Sequence, residues 1–519
     1  MEEIRILLHE LRQIISMNTI KLLVLTCVLS LCVDSFAQDD SMILTDGRFV
    51  DGVKIRETKD GYAIVYKNGE VKLSKKMVKE CFIEGAEGYV PKNEAEKEKV
   101  AKGLVPYEGR WIKKRKRASL IAKKRKKQEA KYKELKSHSE WRNRYIDKTK
   151  QFQFEYTLDP DIFRDLEDLM ENYYKIFMKD WRLTKPSKAG PLTVCFYHDY
   201  DTFLQVGGVG RGVLGYYRFV EPRELNFFYD RLDLEYTIEV MYHETNHYLT
   251  HLIDLDFSYP HNIGEAMAEY YGASKWDPKK KKMKIGGILA GRLTEVMTDI
   301  QSGEFAKLED YLRNKLGYKD YTWGWTFVHF MMETPKYSKK FKRFFLGLAR
   351  DGDVERTTGN GRKTVDGDGF IDAFRRKMKV KNLAKLEKEW HNYIQTKMKL
   401  DSHRGYEQAA RSALGTNRPI RAKRFYKLAI ENGSTKPAVY LQYADMLMDK
   451  SKVAEALVLV EKAIELDPLN SEGYVRLSRI RRREGNQEEA KRLILLVREM
   501  DPDNTSIMFD GAIQDILNK

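Results

Sequence analysis

The run His243-Glu244-Thr245-Asn246-His247 holds the residue types and spacing for hydrolysis at a metal ion. Residues i and i+4 share one helix face, so both imidazoles can address a single ion while the carboxylate of Glu244 reaches a neighbouring water. The preceding Ile238-Glu239-Val240-Met241-Tyr242 is apolar enough for a largely buried helix. A catalytic zinc takes three protein ligands and keeps a fourth position open, which directs attention to a third donor. Glu265 stands eighteen residues after His247, in Asn262-Ile263-Gly264-Glu265-Ala266-Met267-Ala268-Glu269-Tyr270. Glu269 lies one turn further on the same face, where a carboxylate can accept the outer N–H of a ligating imidazole. A plain helix-surface carboxylate is the other reading of Glu269.

These two segments resemble the zinc-binding core of gluzincin peptidases, the thermolysin-like and aminopeptidase N-like enzymes, whose second helix supplies a Glu ligand from an Asn-Glu-Gly-x-Ala type motif. Gly264 stands where that motif has Asn, Ala266 stands where it has Gly, and the interval is slightly short. The resemblance implies Zn2+ as cofactor, His243, His247 and Glu265 as its ligands, Glu244 as general base, and Glu269 as the carboxylate behind a ligating imidazole. The segment Tyr321-Thr322-Trp323-Gly324 is similar to the aminopeptidase N-like Tyr-x-x-Gly segment, which implies that the Tyr321 hydroxyl donates to the oxyanion. Tyr318, one turn away, could substitute, and packing remains open for both. His251 and His329 read as packing residues. The Gly-x-Met-Glu-Asn motif that grips a free amino terminus is absent, so the resemblance points to an endopeptidase.

Several elements must position these groups. The sequence predicts a helix over 160–181, strands over 192–197, 213–219 and 224–229, and a helix from about residue 232 that carries the histidines. The strand before the metal helix corresponds to the gluzincin edge strand, which can pair with an extended peptide. Residues 151–400 therefore read as an α+β peptidase domain. Ahead of it, residues 39–92 alternate apolar positions with Asp-Gly and Asn-Gly turns, which predicts a small all-β, SH3-like module. Residues 93–150 read as a basic, partly helical linker. Behind it, Ala422, Ala456 and Ala490 recur every 34 residues, as do Tyr406, Tyr440 and Tyr474. That period and pattern resemble tetratricopeptide (TPR) repeats, with Ser434 in place of the Pro found at 468 and 502, so 401–519 are expected to form an all-α TPR solenoid with a capping helix over 506–517. The resemblance implies peptide or protein partners.

At 519 residues the chain is too long for one ordinary core. Residues 1–38 read as a signal peptide, with the apolar run 22–33 and the small-x-small pattern Ser35-Phe36-Ala37, and a secreted, periplasmic or cell-surface location is the expectation. Of four cysteines only Cys81 and Cys195 follow it, so no disulfide framework exists. The formal charge is +16, yet residues 110–136 alone carry fourteen Lys or Arg against two Glu. Export argues against nucleic acid, and the basic stretch reads as a solvated linker or a contact for an anionic surface. Two functions stay in play: an exported zinc endopeptidase that recruits substrate or partner through its repeats, and a catalytically silent peptidase-fold scaffold that binds proteins through them.

Overall fold

The computed structural model describes residues 40–519 apart from 46–47, 86–87, 90, 92, 108–109, 232, 278, 351–355, 358–361, 366, 401–403, 450, 503, 505–506, 508–509 and 519. The expected signal peptide lies outside the described residues. The described residues fall in two compact units, one within 40–130 and 495–502, the other within 131–494 and 503–519.

The first unit is β-rich. Strands β1 (Asp40–Leu44), β2 (Phe49–Thr58), β3 (Gly61–Tyr66), β4 (Gly69–Ser74) and β5 (Val78–Phe82) form one antiparallel sheet in the order β4-β3-β2-β1-β5. Alternation works as expected for a sheet with one covered face: Val71 and Leu73 are buried while Glu70, Lys72 and Ser74 are not. The stretch read as a linker is more ordered than its composition suggests, holding a helix Glu94–Ala101, a hairpin of Leu104–Tyr107 with Arg110–Lys113, and a 24-residue helix Lys114–Ser137. Neither Cys81 nor Cys195 is in a disulfide, and Cys195 is buried.

The second unit is built on a mixed five-stranded sheet. Its strands are β6 (Tyr145–Lys148), β7 (Phe152–Tyr156), β8 (Leu192–Tyr197), β9 (Gly215–Arg218) and β10 (Glu224–Phe228), in the order β6-β7-β8-β10-β9. β7, β8 and β10 run parallel, and β6 and β9 are antiparallel edges. The sheet thus starts at Tyr145, inside the expected linker. What recruits this short strand is aromatic rather than periodic: Tyr145 stacks on Tyr156 at 5.2 Å, and the Tyr156 hydroxyl donates to Asp147 at 2.6 Å.

Helix α1 (Pro160–Asp180) lies on the sheet. Asp159 caps it and Pro160 occupies the first helical position, where its missing N–H costs nothing. Phe163, Leu166, Met170, Tyr173, Tyr174 and Phe177 make one buried stripe at helical spacing. Helices α2 (Leu234–His251), α3 (His261–Gly272), α4 (Ala290–Gln301) and α5 (Trp325–Glu333) complete the layer around a core rich in Tyr, Phe and Trp.

The C-terminal region is helical, in antiparallel pairs. They are α6 (Arg404–Gly415) with α7 (Pro419–Glu431) and α8 (Pro437–Met448) with α9 (Val453–Leu466), followed along the chain by α10 (Ser471–Arg483) and α11 (Gln487–Met500). The second helices begin at residues 419, 453 and 487, a 34-residue step. Ala422, Ala456 and Ala490 are fully buried at the crossings, where any larger side chain would force the helices apart. Ser434, the departure from the repeat pattern, is buried and donates to Glu407 of the preceding first helix at 2.6 Å, which explains why a hydroxyl stands there. The final helix spans Gly511–Asn518. Among the described residues no helix is long and apolar enough to cross a membrane.

Candidate metal centre

Helix α2 is fixed at its start and along its back. Asp233 caps it by accepting from the Tyr236 N–H at 3.2 Å, and Met241, Tyr242, Tyr248 and Leu249 sink into the core. Asn246, fully buried, donates to the Tyr173 hydroxyl of α1 at 2.9 Å. The opposite face, carrying His243, Glu244 and His247, is thereby turned toward a cavity of about 530 Å³. Helix α3 is pinned by Asn262, whose side chain donates to the Tyr311 carbonyl at 2.7 Å and whose N–H donates to Asn314 at 3.2 Å. Glu265 then faces the histidines.

His243 Nε2 is 3.1 Å from Glu265 Oε2 and 3.3 Å from His247 Nε2, and His247 Nε2 is 3.5 Å from the same carboxylate oxygen. Among the described residues this is the one set of three His, Cys, Asp or Glu side chains close enough to share an ion. Zinc at about 2.0–2.1 Å from each of three tetrahedral donors places those donors about 3.3 Å apart, which is the spacing seen. Two imidazole nitrogens and a carboxylate oxygen converging on one point share too few protons to satisfy each other, whereas a divalent cation satisfies all three. The residues fit the ion. Without it, burial would lower the His243 pKa, but the hydrogen bond to Glu265 and the charges of Glu244 and Glu269 raise it to about 9. Burial works against ionising Glu265, and the imidazoles of His247 and His243 outweigh it, holding that carboxyl well below its ordinary value.

Glu244 lies in the cavity wall next to edge strand β9. Burial raises its pKa, against the pull of His243 and His247, while a hydrogen bond from the Tyr217 backbone N–H favours its charged form. The glycine at 215 allows this: a Cβ there would lie 3.0 Å from Glu244 Cγ and 2.9 Å from Val240 Cγ1.

Tyr321 also lines the cavity, its ring 6.2 Å from that of His243 and nearly parallel to it. It sits in a single π-helical turn, Asp320–Gly324, at the start of α5. Burial first, then the carboxylates of Glu265, Glu269 and Glu244, raise its pKa, so its hydroxyl stays a proton donor. Tyr318 is committed elsewhere, donating to Glu295 at 3.1 Å and accepting from Arg292 at 3.0 Å. His251 lies between the Tyr217 hydroxyl at 2.6 Å and Arg362, and His329 contacts the Tyr393 hydroxyl and the Gly286 carbonyl.

Glu269 is buried behind His243, its Oε1 3.5 Å from the outer nitrogen Nδ1. Two groups escape a sequence reading. Arg292 of α4 grips Glu269 with Nη2 and Nε, at 2.6 and 3.0 Å. His261, one turn before Glu265, is 3.3 Å from the buried Asp320, which with the neighbouring charges raises its pKa against burial. The i, i+4 spacing of His261 and Glu265 was available as a signal. For Arg292, 23 residues beyond Glu269 on another helix, the chain offers none.

No protein-family model and no curated protein matches the chain. Solved structures similar to it include the TPR domain of Arabidopsis OM64, at 18% identity over 22% of this chain and 94% of that one, with a TM-score of 0.21. YrrB, described as a TPR protein with an unusual peptide-binding site, is similar at 11% identity over 42% and 97%, also with a TM-score of 0.21. The TPR2AB domain of yeast Sti1, solved as a pHSP90 complex, is 12% identical over 44% and 97%, again at 0.21.

Proposed function

We propose that the chain is an exported zinc endopeptidase of gluzincin type, with Glu244 as general base and the helical repeats recruiting a protein substrate or partner. The observation that carries this reading is the triangle of His243, His247 and Glu265 donor atoms with edges of 3.1, 3.3 and 3.5 Å, the spacing a tetrahedral zinc requires. Zinc held there would supply a Lewis acid for the scissile carbonyl and lower the pKa of a bound water.

The side chains supply the rest. Glu244, whose affinity for a proton burial raises against the pull of the imidazoles and the Tyr217 N–H, is placed to take the proton of the attacking water and pass it to the leaving amine. Tyr321, protonated throughout the physiological range, donates to the oxygen that gains negative charge. An extended peptide can lie along β9, whose free edge borders the cavity and leaves backbone groups to pair with it. Repeat arrays present extended concave surfaces to partners, which is the role proposed for 404–500.

The test is zinc content and peptide-library cleavage of the purified chain beside Glu244→Gln. Both proteins should hold one zinc per chain, and the substitution should lower turnover by about 10²- to 10⁴-fold. Zinc in both with cleavage in neither would select the silent scaffold, and a wild-type chain that takes up no zinc would overturn the metal centre itself.

A further inference from the structure

We propose that Arg292 is a positioning residue through which the first repeat helix, α6, holds the metal-ligating His243, making that helix part of the metal centre rather than the start of a detachable module. The inference rests on the zinc reading above and deepens it. Four groups form a continuous line. His243 Nδ1 is 3.5 Å from Glu269 Oε1, Glu269 accepts from Nε and Nη2 of the Arg292 guanidinium, and Arg292 Nη1 donates to Ser412 Oγ of α6 at 2.7 Å. The Arg292 and Glu269 side chains are 11% and 4% exposed, so neither has an alternative partner in water. A two-pronged guanidinium fixes a carboxylate in plane as well as in place. A carboxylate so fixed keeps the proton of the imidazole on Nδ1 and presents Nε2 to the ion.

The same repeat helix also grips the other end of the metal helix. Arg411, 6% exposed, pairs with Asp233, the cap of α2, and lies 3.5 Å from Glu239, one turn ahead of His243. The junction is too tight for a hinge: a Cβ at Gly291 of α4 would lie 2.7 Å from the Gln408 carbonyl carbon of α6. Ser412 of α6 and Thr416, just past its end, line the cavity together with His243 and Glu244. An appended recruitment domain would instead meet its neighbour through a polar, solvated surface.

The probe is Co2+, its affinity read by chelator competition and its ligand field by visible absorption, on the full chain and on Arg292→Met, Arg292→Lys, Ser412→Ala and the Arg292→Met/Ser412→Ala double variant. Arg292→Met should weaken Co2+ by about 10- to 100-fold, the usual effect of removing a group behind a metal ligand. Ser412→Ala, a mild change at one hydrogen bond, should weaken it by about 2- to 10-fold. Lysine at 292 should recover part of the loss, and the double variant should bind no more weakly than Arg292→Met. Unchanged affinity and spectrum in Ser412→Ala, or additive losses in the double variant, would overturn the proposal. If the wild-type chain binds no Co2+, the zinc reading fails separately, and the ring 15N resonances of His243 in metal-free protein then decide the coupling. A shifted Nδ1 resonance in Ser412→Ala supports it and an unshifted one overturns it.

Discussion

Alanine at position 215 should disable Glu244 while sparing the metal site. The new methyl would sit 2.9 Å from Val240 Cγ1, 3.0 Å from Glu244 Cγ and 3.2 Å from the Asn226 carbonyl oxygen. Relaxed carbon contacts lie at about 3.5–4.0 Å, so the helix-side atoms must give way by about 0.5–1 Å. The methyl cannot retreat toward the sheet, because the Asn226 oxygen belongs to the paired strand β10. Val240 is β-branched and stiff at χ1, which leaves the unbranched Glu244 to move. A displacement of about 1 Å in a catalytic group costs about 10²-fold in rate. Overpacking of this kind costs about 1–3 kcal/mol of stability. The three ligand atoms lie outside these contacts, so zinc content should hold and the loss should fall on kcat rather than KM. The assay is steady-state kinetics on a cleaved peptide, with metal analysis and a thermal melt on the same preparation. Wild-type kcat in a folded, zinc-loaded Gly215→Ala chain would refute the reasoning, and loss of zinc would show that the helix had moved instead of the side chain.

With His243 raised to about 9 in the metal-free protein, zinc uptake at pH 7 should release about one proton from this ring, read by calorimetry in buffers of different ionisation enthalpy; no release would contradict the assignment. The same shift stabilises the metal-free fold fully below the ordinary value of 6.5, and that contribution should fade as pH rises through about 9. His251 behaves in the opposite sense: burial, with Arg362 and Arg223 adding to it, lowers its pKa to about 4. Its contribution is complete above 6.5 and lost as pH falls toward 4, so His251→Gln should flatten the acid side of the stability profile by up to about 1.4 kcal/mol per pH unit. Replacing Ser434 with Pro restores the repeat pattern yet should destabilise by about 1–3 kcal/mol, since the buried Glu407 loses its hydroxyl donor. The Ser434 N–H bond to the Ala429 carbonyl goes as well, and a melting temperature at or above wild type would refute this.

What could be read from the chain, and what could not, follows from how far each determinant acts. His243 and His247 announce themselves because two imidazoles on one helix face are local, set by a four-residue step, and the repeats announce themselves because each Ala recurs where a helix crossing needs a small residue. Glu265 was reachable by the same logic one helix later, its position carried by resemblance. Arg292 follows no such rule. Its partners Glu269, Tyr318 and Ser412 lie 23, 26 and 120 residues away, and a buried guanidinium is specified by the geometry of three helices rather than by any spacing along one. A boundary placed between residues 400 and 401 by the repeat period carries no information about that contact, for the same reason. A period of 34 marks where a repeat begins, but the face its first helix buries is chosen by Arg411 and Ser412, two polar residues that a periodicity reading assigns to solvent. A buried ion pair is costly to form and costlier to break. Placed at the cap of the metal helix and behind its first ligand, such pairs tie the orientation of His243 to the docking of α6.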